Sequence, residues 1–134
     1  MDSTELTVNT GTRPAVVDLT QQVAGFCRDQ GDGLVSVFVP HATAGVAIME
    51  TGAGSEDDLL AALADVLPRD DRWRHRHGSA GHGADHLLPA IIAPSITVPV
   101  LRGRPALGTW QSIVLVDTNG DNAERQVRLS FLAG

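Results

Sequence analysis

Apolar and polar residues alternate in short bursts along most of this chain, and only two stretches repeat at helical spacing. Leu6-Thr7-Val8 alternates ahead of a Thr10-Gly11-Thr12 turn, which predicts a first strand. Pro14 leads into Val16-Val17. Asp18 and Gln21 then form a capping pair for a helix whose apolar stripe is Leu19, Val23, Phe26 and Cys27. Leu34 to Val39, bounded by Gly33 and Pro40, reads as a buried strand. Val46 to Met49 gives another, across the small residues Ala42-Thr43-Ala44-Gly45. Ser55 with Asp58 predicts a second helix cap, with Glu56 and Asp57 suited to the helix's positive end. Its stripe runs through Leu59, Leu60, Leu63, Val66 and Leu67 and stops at Pro68.

In the second half, Asp85 predicts the cap of a short helix through Leu87, Leu88, Ile91 and Ile92, ended by Pro94. Ser95 to Val100 is strand-like, with Pro99 suited to an edge or a bulge. After the Arg102-Gly103-Arg104-Pro105 turn, Leu107 to Val116 reads as one long strand containing Gly108-Thr109-Trp110-Gln111. Asn119-Gly120-Asp121-Asn122 makes the last turn. Val127, Leu129 and Phe131 alternate with Arg128 and Ser130 in a half-exposed final strand. About six or seven strands with two helices predict an α+β class with antiparallel sheets, in a single domain over residues 1–134.

Composition narrows the function. A formal net charge of −6 argues against a nucleic-acid or anionic-membrane partner, which needs a basic surface. No apolar run approaches the ~20 residues of a membrane span. Met1-Asp2-Ser3-Thr4-Glu5 is polar and acidic, unlike a secretory signal, so a cytoplasmic location is expected. The lone Cys27 offers no disulfide framework and reads as a small buried hydrophobe rather than a nucleophile.

The segment from Trp73 to His86 breaks the alternation. It holds four of the chain's five histidines among glycines and charges. His75 and His77 are two apart and share a side of an extended backbone; His82 and His86 are four apart and share a helical face. Imidazole is the commonest protein metal ligand, so this pattern predicts a metal pocket. Spacing alone leaves a solvated polar loop as an equal reading. Asp85 reads first as a helix cap, and second as a carboxylate that orients an imidazole. Gly78-Ser79-Ala80-Gly81 could form a nest of N–H groups around an anion, with charge added by Arg74, Arg76 and Arg125.

Six features occur in order: His41-Ala42-Thr43-Ala44-Gly45, Glu50, Trp73-x-His75, His86, Val98-Pro99-Val100 and Leu107-Gly108-Thr109-Trp110-Gln111. In these the chain, from about Leu6 to Gly134, resembles the YjbQ-like family, also described as secondary thiamine-phosphate synthases. The resemblance implies an antiparallel β-sandwich core with two main helices packed on one side. It implies a homotrimer with a metal and anion site at a subunit boundary. By motif match, His41, His75 and His86 correspond to metal ligands, and Glu50 and Gln111 to polar positions of the same cleft with catalytic roles. Three imidazoles with an open position suit a divalent ion, zinc first. Trp110 reads equally as a stacking surface for a planar substrate or as a core or interface residue, while Thr109 shares the face of Gln111 and joins it in substrate binding.

The chain departs from the family pattern at Met49 (where an Asn is usual), at Gly78 (a Glu) and at Asn119-Gly120-Asp121-Asn122 (Asp-Gly-Pro-Arg). Arg125 is only loosely equivalent to that arginine. His77 and His82 have no counterpart. The expected function is a metal-site enzyme acting on phosphorylated small molecules. The resemblance suggests the joining of a pyrimidine-methyl diphosphate to a thiazole phosphate. The alternatives are a metal-dependent hydrolase and a non-catalytic trimeric metal- or ligand-binding module.

Overall fold

The alternating stretches pair into two antiparallel sheets in a computed structural model that describes all residues 1–134. The elements are β1 (Asp2–Asn9), β2 (Ala15–Asp18), α1 (Thr20–Cys27), β3 (Gly33–Phe38), β4 (Ala44–Met49) and α2 (Ser55–Val66), then α3 (His82–Asp85), α4 (Leu88–Ile91), β5 (Ser95–Leu101), β6 (Arg104–Pro105), β7 (Ser112–Asp117) and β8 (Glu124–Ala133). The larger sheet has the order β1-β8-β3-β5-β6 and the smaller β2-β7-β4. No helix is long and apolar enough to cross a membrane.

The sheets meet over one apolar core. Val35, Val37, Val127 and Leu129 come from the large sheet, Val46, Ile113 and Leu115 from the small one, and Leu19, Val23 and Cys27 from α1 and its entry. This is the sandwich of the expected α+β class. Val114 and Val116, on the other face of β7, are buried against Leu63 and Leu67 at α2 and Leu88 of α4. With both faces covered, β7 reads as a continuous apolar run rather than an alternating one. Cys27 is fully buried, which pushes its thiol pKa up, as befits a small core residue.

Three local expectations need correction. Gly108-Thr109-Trp110-Gln111 is a turn rather than strand: Gln111 N donates to Gly108 O at 3.1 Å, and Gly108 N donates to the Gln111 carboxamide oxygen at 2.7 Å. Asp85 does not cap the helix through Leu88 and Ile91; Leu87 occupies that place for α4, and Asp85 lies inside the preceding turn, α3, with only 1% of its surface exposed. The first turn of α2 likewise begins at Gly54, and it is Glu56, not Ser55, that accepts an entering amide, from Gly52 at 2.7 Å. Pro99 behaves as expected. Its carbonyl accepts from Ala106 N at 2.7 Å, so the missing N–H lies on the side where the partner strand, β6, has only two residues.

Candidate metal centre

Four imidazoles converge beyond the C-terminal end of β7. The ligand nitrogens of His75, His77, His82 and His86 all lie within 4.8 Å of one another. The chain brings them together from two directions. After Pro68 ends α2, the Trp73 indole donates to Pro68 O at 2.8 Å and anchors the segment. Arg76 then folds it back by donating to Trp73 O at 3.0 Å and Asp71 O at 2.7 Å, which presents His75 and His77 to α3. On the other side, the single turn of α3 sets His82 and His86 on one face. Their Nε2 atoms face each other across 2.5 Å. Two imidazole lone pairs at that separation need a proton or a cation between them.

A polar layer beneath fixes the ring of His82. Asn119 Oδ1 accepts from Asp121 N at 2.9 Å, so Asn119 Nδ2 is the donor end. It donates to Asp85 Oδ2 at 2.9 Å and Asp121 Oδ2 at 3.3 Å. His82 Nδ1 lies between two partners, the Asn119 Nδ2 donor at 2.9 Å and Asp121 Oδ2 at 3.0 Å; with its hydrogen on Nδ1 it donates to that carboxylate. In that tautomer the Nε2 lone pair is directed at the other rings, the arrangement in which a carboxylate supports a metal-bound histidine. Asp85 is held in turn by Arg69 and by the Thr118 hydroxyl at 2.9 Å. His82 and Asp85 are buried, His86 is half-buried, and His75 and His77 are exposed, so the cluster is closed below and open above.

Partial loss of water and repulsion from neighbouring rings hold His75 and His86 below the ordinary histidine pKa. Both are therefore neutral at pH 7, the form that binds metal. Gly78 completes the arrangement. A Cβ there would lie 2.9 Å from His82 Nδ1 and 3.1 Å from Asp121 Oδ2, and the backbone φ is +78°. The glutamate that the resemblance leads one to expect at this position has no room for its Cβ while His82 and Asp121 hold theirs. Three departures from the family pattern, at 78, 82 and 121, thus meet at one point in space. The donor set fits a borderline divalent ion such as zinc, copper, iron or nickel.

The other expected site residues lie elsewhere in the chain. His41 follows β3, and its Nε2 accepts from Gln126 N at 3.0 Å, so that nitrogen is engaged in a backbone bond. Burial first, then the Arg125 charge, lower its pKa against the opposing effect of Asp117. Within one chain, then, His75 and His86 meet each other and His77 and His82, but not His41. Ser79 directs both its hydroxyl (3.1 Å) and its amide (3.4 Å) at Asp121 Oδ2; the anion this loop cradles is the protein's own carboxylate. Arg125 is not open to a ligand. Only 2% exposed, it pairs through Nε with the fully buried Asp117 and donates to Asn122 O at 2.7 Å and Glu124 O at 3.0 Å.

Glu50, Thr109, Trp110 and Gln111 sit at the opposite end of β7. The last register pair there is Met49↔Ser112, and Glu50 and Gln111 lie just beyond it. All four are exposed, Trp110 by 73%, so the indole is not part of this chain's core. The six residues of β7 separate this group from the histidines by roughly 17 Å. Asn119 and Asp121, missed in the sequence, had one signal: their turn departs from the family pattern.

The two-sheet antiparallel sandwich defines the fold class, and the histidine cluster sits on the segment between α2 and α4, beside the C-terminal end of β7. The family model of the UPF0047 YjbQ-like proteins matches residues 4–134, and the chain belongs to that family. It is 66% identical over 134 residues to the UPF0047 protein Rv2556c of Mycobacterium tuberculosis, covering 100% of each chain. The crystal structure of hypothetical protein APE1520 from Aeropyrum pernix K1 is similar with a TM-score of 0.91 at 33% identity, covering 100% of both chains. A YbjQ-like protein of unknown function, SSO2532 from Sulfolobus solfataricus P2, is similar with a TM-score of 0.92 at 26% identity, covering 99% of this chain and 97% of that one.

Proposed function

We propose that this chain is a metal-site enzyme acting on phosphorylated small molecules, with its divalent ion held by His75, His77, His82 and His86. The observation that carries the reading is the convergence of the four ligand nitrogens within 4.8 Å. Bound there, the ion would supply a Lewis acid for a phosphoryl oxygen. The residues' own tasks are separate. Asp121 and Asn119 meet at His82 Nδ1 and orient its ring, Asp85 ties the α3 turn to Arg69 and Thr118, and the exposed rings of His75 and His77 face the approach from solvent. Thiamine-phosphate synthesis, with pyrophosphate as the leaving group, is the version suggested by the family resemblance.

Glu50 and Gln111 can serve the same centre only from another copy of the chain, because β7 keeps them apart within one. A homotrimer with sites at subunit boundaries provides such a copy. One observation favours a second reading, a non-catalytic binding module: four imidazoles match the ligand count of a closed tetrahedral site, which leaves no open position.

Elemental analysis of purified protein beside His82→Ala and His86→Ala variants tests the centre. About one bound transition metal per site, lost in both variants, is expected; full metal content in both would overturn it. Cobalt substitution then separates the two readings, since an open site changes its visible spectrum with added anions and a closed one does not. Pyrophosphate release that needs both thiamine precursors supports the transferase. Water-dependent ester cleavage would support a hydrolase.

A further inference from the structure

A groove of about 510 Å³ lies away from the histidines, between α1 and the hairpin that joins β5 to β6. Its volume falls within the range of small-ligand sites. Its polar wall is formed by Thr20, Arg28, Arg102 and Arg104, and no carboxylate lines it. That is unexpected in a chain of net charge −6. Arg69, Arg72, Arg125 and Arg128 are each paired with a carboxylate, whereas none of the three groove arginines is. Three arginines with no carboxylate partner line one cavity; their like charges repel, and an anion held there relieves that repulsion.

The hairpin's turn points the same way. Leu101 pairs with Arg104, and the two residues between them, Arg102 and Gly103, have φ of +50° and +72°. Both signs are positive, as in the type I′ turn, for which Asn-Gly is the favoured pair. A long-chain L-residue in the first place is strained. Asp32 Oδ1 accepts from Arg102 N at 2.6 Å, and Gly103 N donates to Gly31 O at 2.9 Å, so the tip is held against the turn after α1 despite that strain. Turn chemistry does not ask for arginine at 102. A ligand for its guanidinium does.

We propose that this groove binds the phosphate of a small organic phosphate through Arg28, Arg102 and Arg104, with Ala24 and Leu107 against the organic part. Guanidinium groups match phosphate oxygens in pairs and give the strongest neutral-pH recognition of that group. The inference rests on the phosphorylated-substrate half of the proposed function and not on its metal half.

The test uses full-length protein freed of metal by chelation, titrated with phenyl phosphate, inorganic phosphate and a single-stranded oligonucleotide by calorimetry. Saturable binding of phenyl phosphate, tighter than inorganic phosphate, is expected. Arg102→Asn and Arg104→Gln should each weaken it about tenfold. Arg102→Asn also suits the turn, so its melting temperature should hold or rise and a folding defect cannot mimic the result. Binding should persist in His86→Ala. The proposal is overturned by absence of binding at millimolar concentration, by binding that ignores both arginine variants, by equal affinity for inorganic phosphate, or by a preference for the oligonucleotide. Loss in His86→Ala with retention in the arginine variants would place the phosphate at the histidines, leaving the function above intact and ending this one.

Discussion

Arg125 decides between two kinds of charge in this protein, and Arg125→Met exposes the difference. In the sequence it reads as an anion-binding residue; in the fold it is 2% exposed and pairs with Asp117, which is 0% exposed. Methionine keeps the volume but leaves Asp117 with only the Asn119 amide (2.8 Å) and a long bond from the Thr43 hydroxyl (3.4 Å). It also strips the Asn122 and Glu124 carbonyls of their donor. Breaking a buried pair from one side costs about 3–5 kcal/mol. For 134 residues, the unfolding entropy of roughly 2.1 cal/mol/K per residue converts this to a fall in Tm of roughly 10–18 °C.

The pH dependence follows from the same pair. Burial already raises the Asp117 pKa against the lowering effects of Asn119 and Arg125. Removing Arg125 raises it further. A carboxyl with a raised folded pKa favours the folded state below its unfolded pKa and loses that contribution as pH rises through the folded value. The deficit of Arg125→Met, measured by calorimetry against the parent, should therefore be small in acid and grow toward neutrality. Adding Asp117→Leu should recover much of it. A Tm within about 2 °C of the parent at pH 7, with phosphate binding lost, would refute the structural role and restore Arg125 as a ligand contact.

Gly78→Ala puts a methyl group 2.9 Å from His82 Nδ1 at a φ of +78°, so His82 and Asp121 must part; cobalt or zinc affinity should fall about ten- to a hundredfold, and unchanged affinity would remove Asp121 from the centre. At Asp18, burial raises the pKa, but hydrogen bonds from Thr20, Thr51 and Ser112 outweigh it and the net shift is down. Its contribution to stability is therefore present above the unfolded carboxylate pKa and lost as pH falls through the folded one. Asp18→Asn should cost roughly 0.5 kcal/mol at pH 7, allowing for solvent screening at this exposed position, and progressively less as pH falls below the usual carboxylate range; a cost independent of pH in urea titrations would refute the assignment.

Where burial follows a simple period, the fold was legible. The alternation of Val127, Leu129 and Phe131 places β8, and the stripe through Leu59, Leu63 and Leu67 places α2, with Val66, expected in that stripe, exposed instead. The same alternation, carried back two residues, puts Arg125 on the inward face, so its burial was readable had the period been trusted over the charge. The Gly108–Gln111 turn was hidden because Thr and Trp favour strands, while a side chain-to-backbone bond three residues away sets the local conformation. The histidine segment announced itself, yet which imidazoles meet was not readable. The choice depends on Asp121 and Asn119, more than thirty residues further along the chain, and on a glycine whose only role there is to leave room.

The two candidate sites stand at the two ends of β7. The histidines lie past Asp117. The arginine groove starts where α1 meets β7, with Ile113 N donating to the Thr20 hydroxyl at 2.9 Å. A phosphate held by Arg102 and Arg104 is too far from His82 for both to act on one small molecule within a single chain, since the strand alone spans roughly 17 Å. Glu50, Trp110 and Gln111 share the arginine end and are exposed. For the proposed function, assembly decides whether the two sites work on one molecule. Copies packed so that the Trp110 turn of one covers the histidine loop of the next would bring metal, carboxylate and phosphate donors to one cleft and bury the exposed indole. Copies that remain separate keep an ion site and an anion site that titrate independently. Calorimetric titration of phenyl phosphate into metal-loaded and metal-free protein distinguishes them: coupling between the two ligands belongs to the shared cleft, and its absence to separate sites.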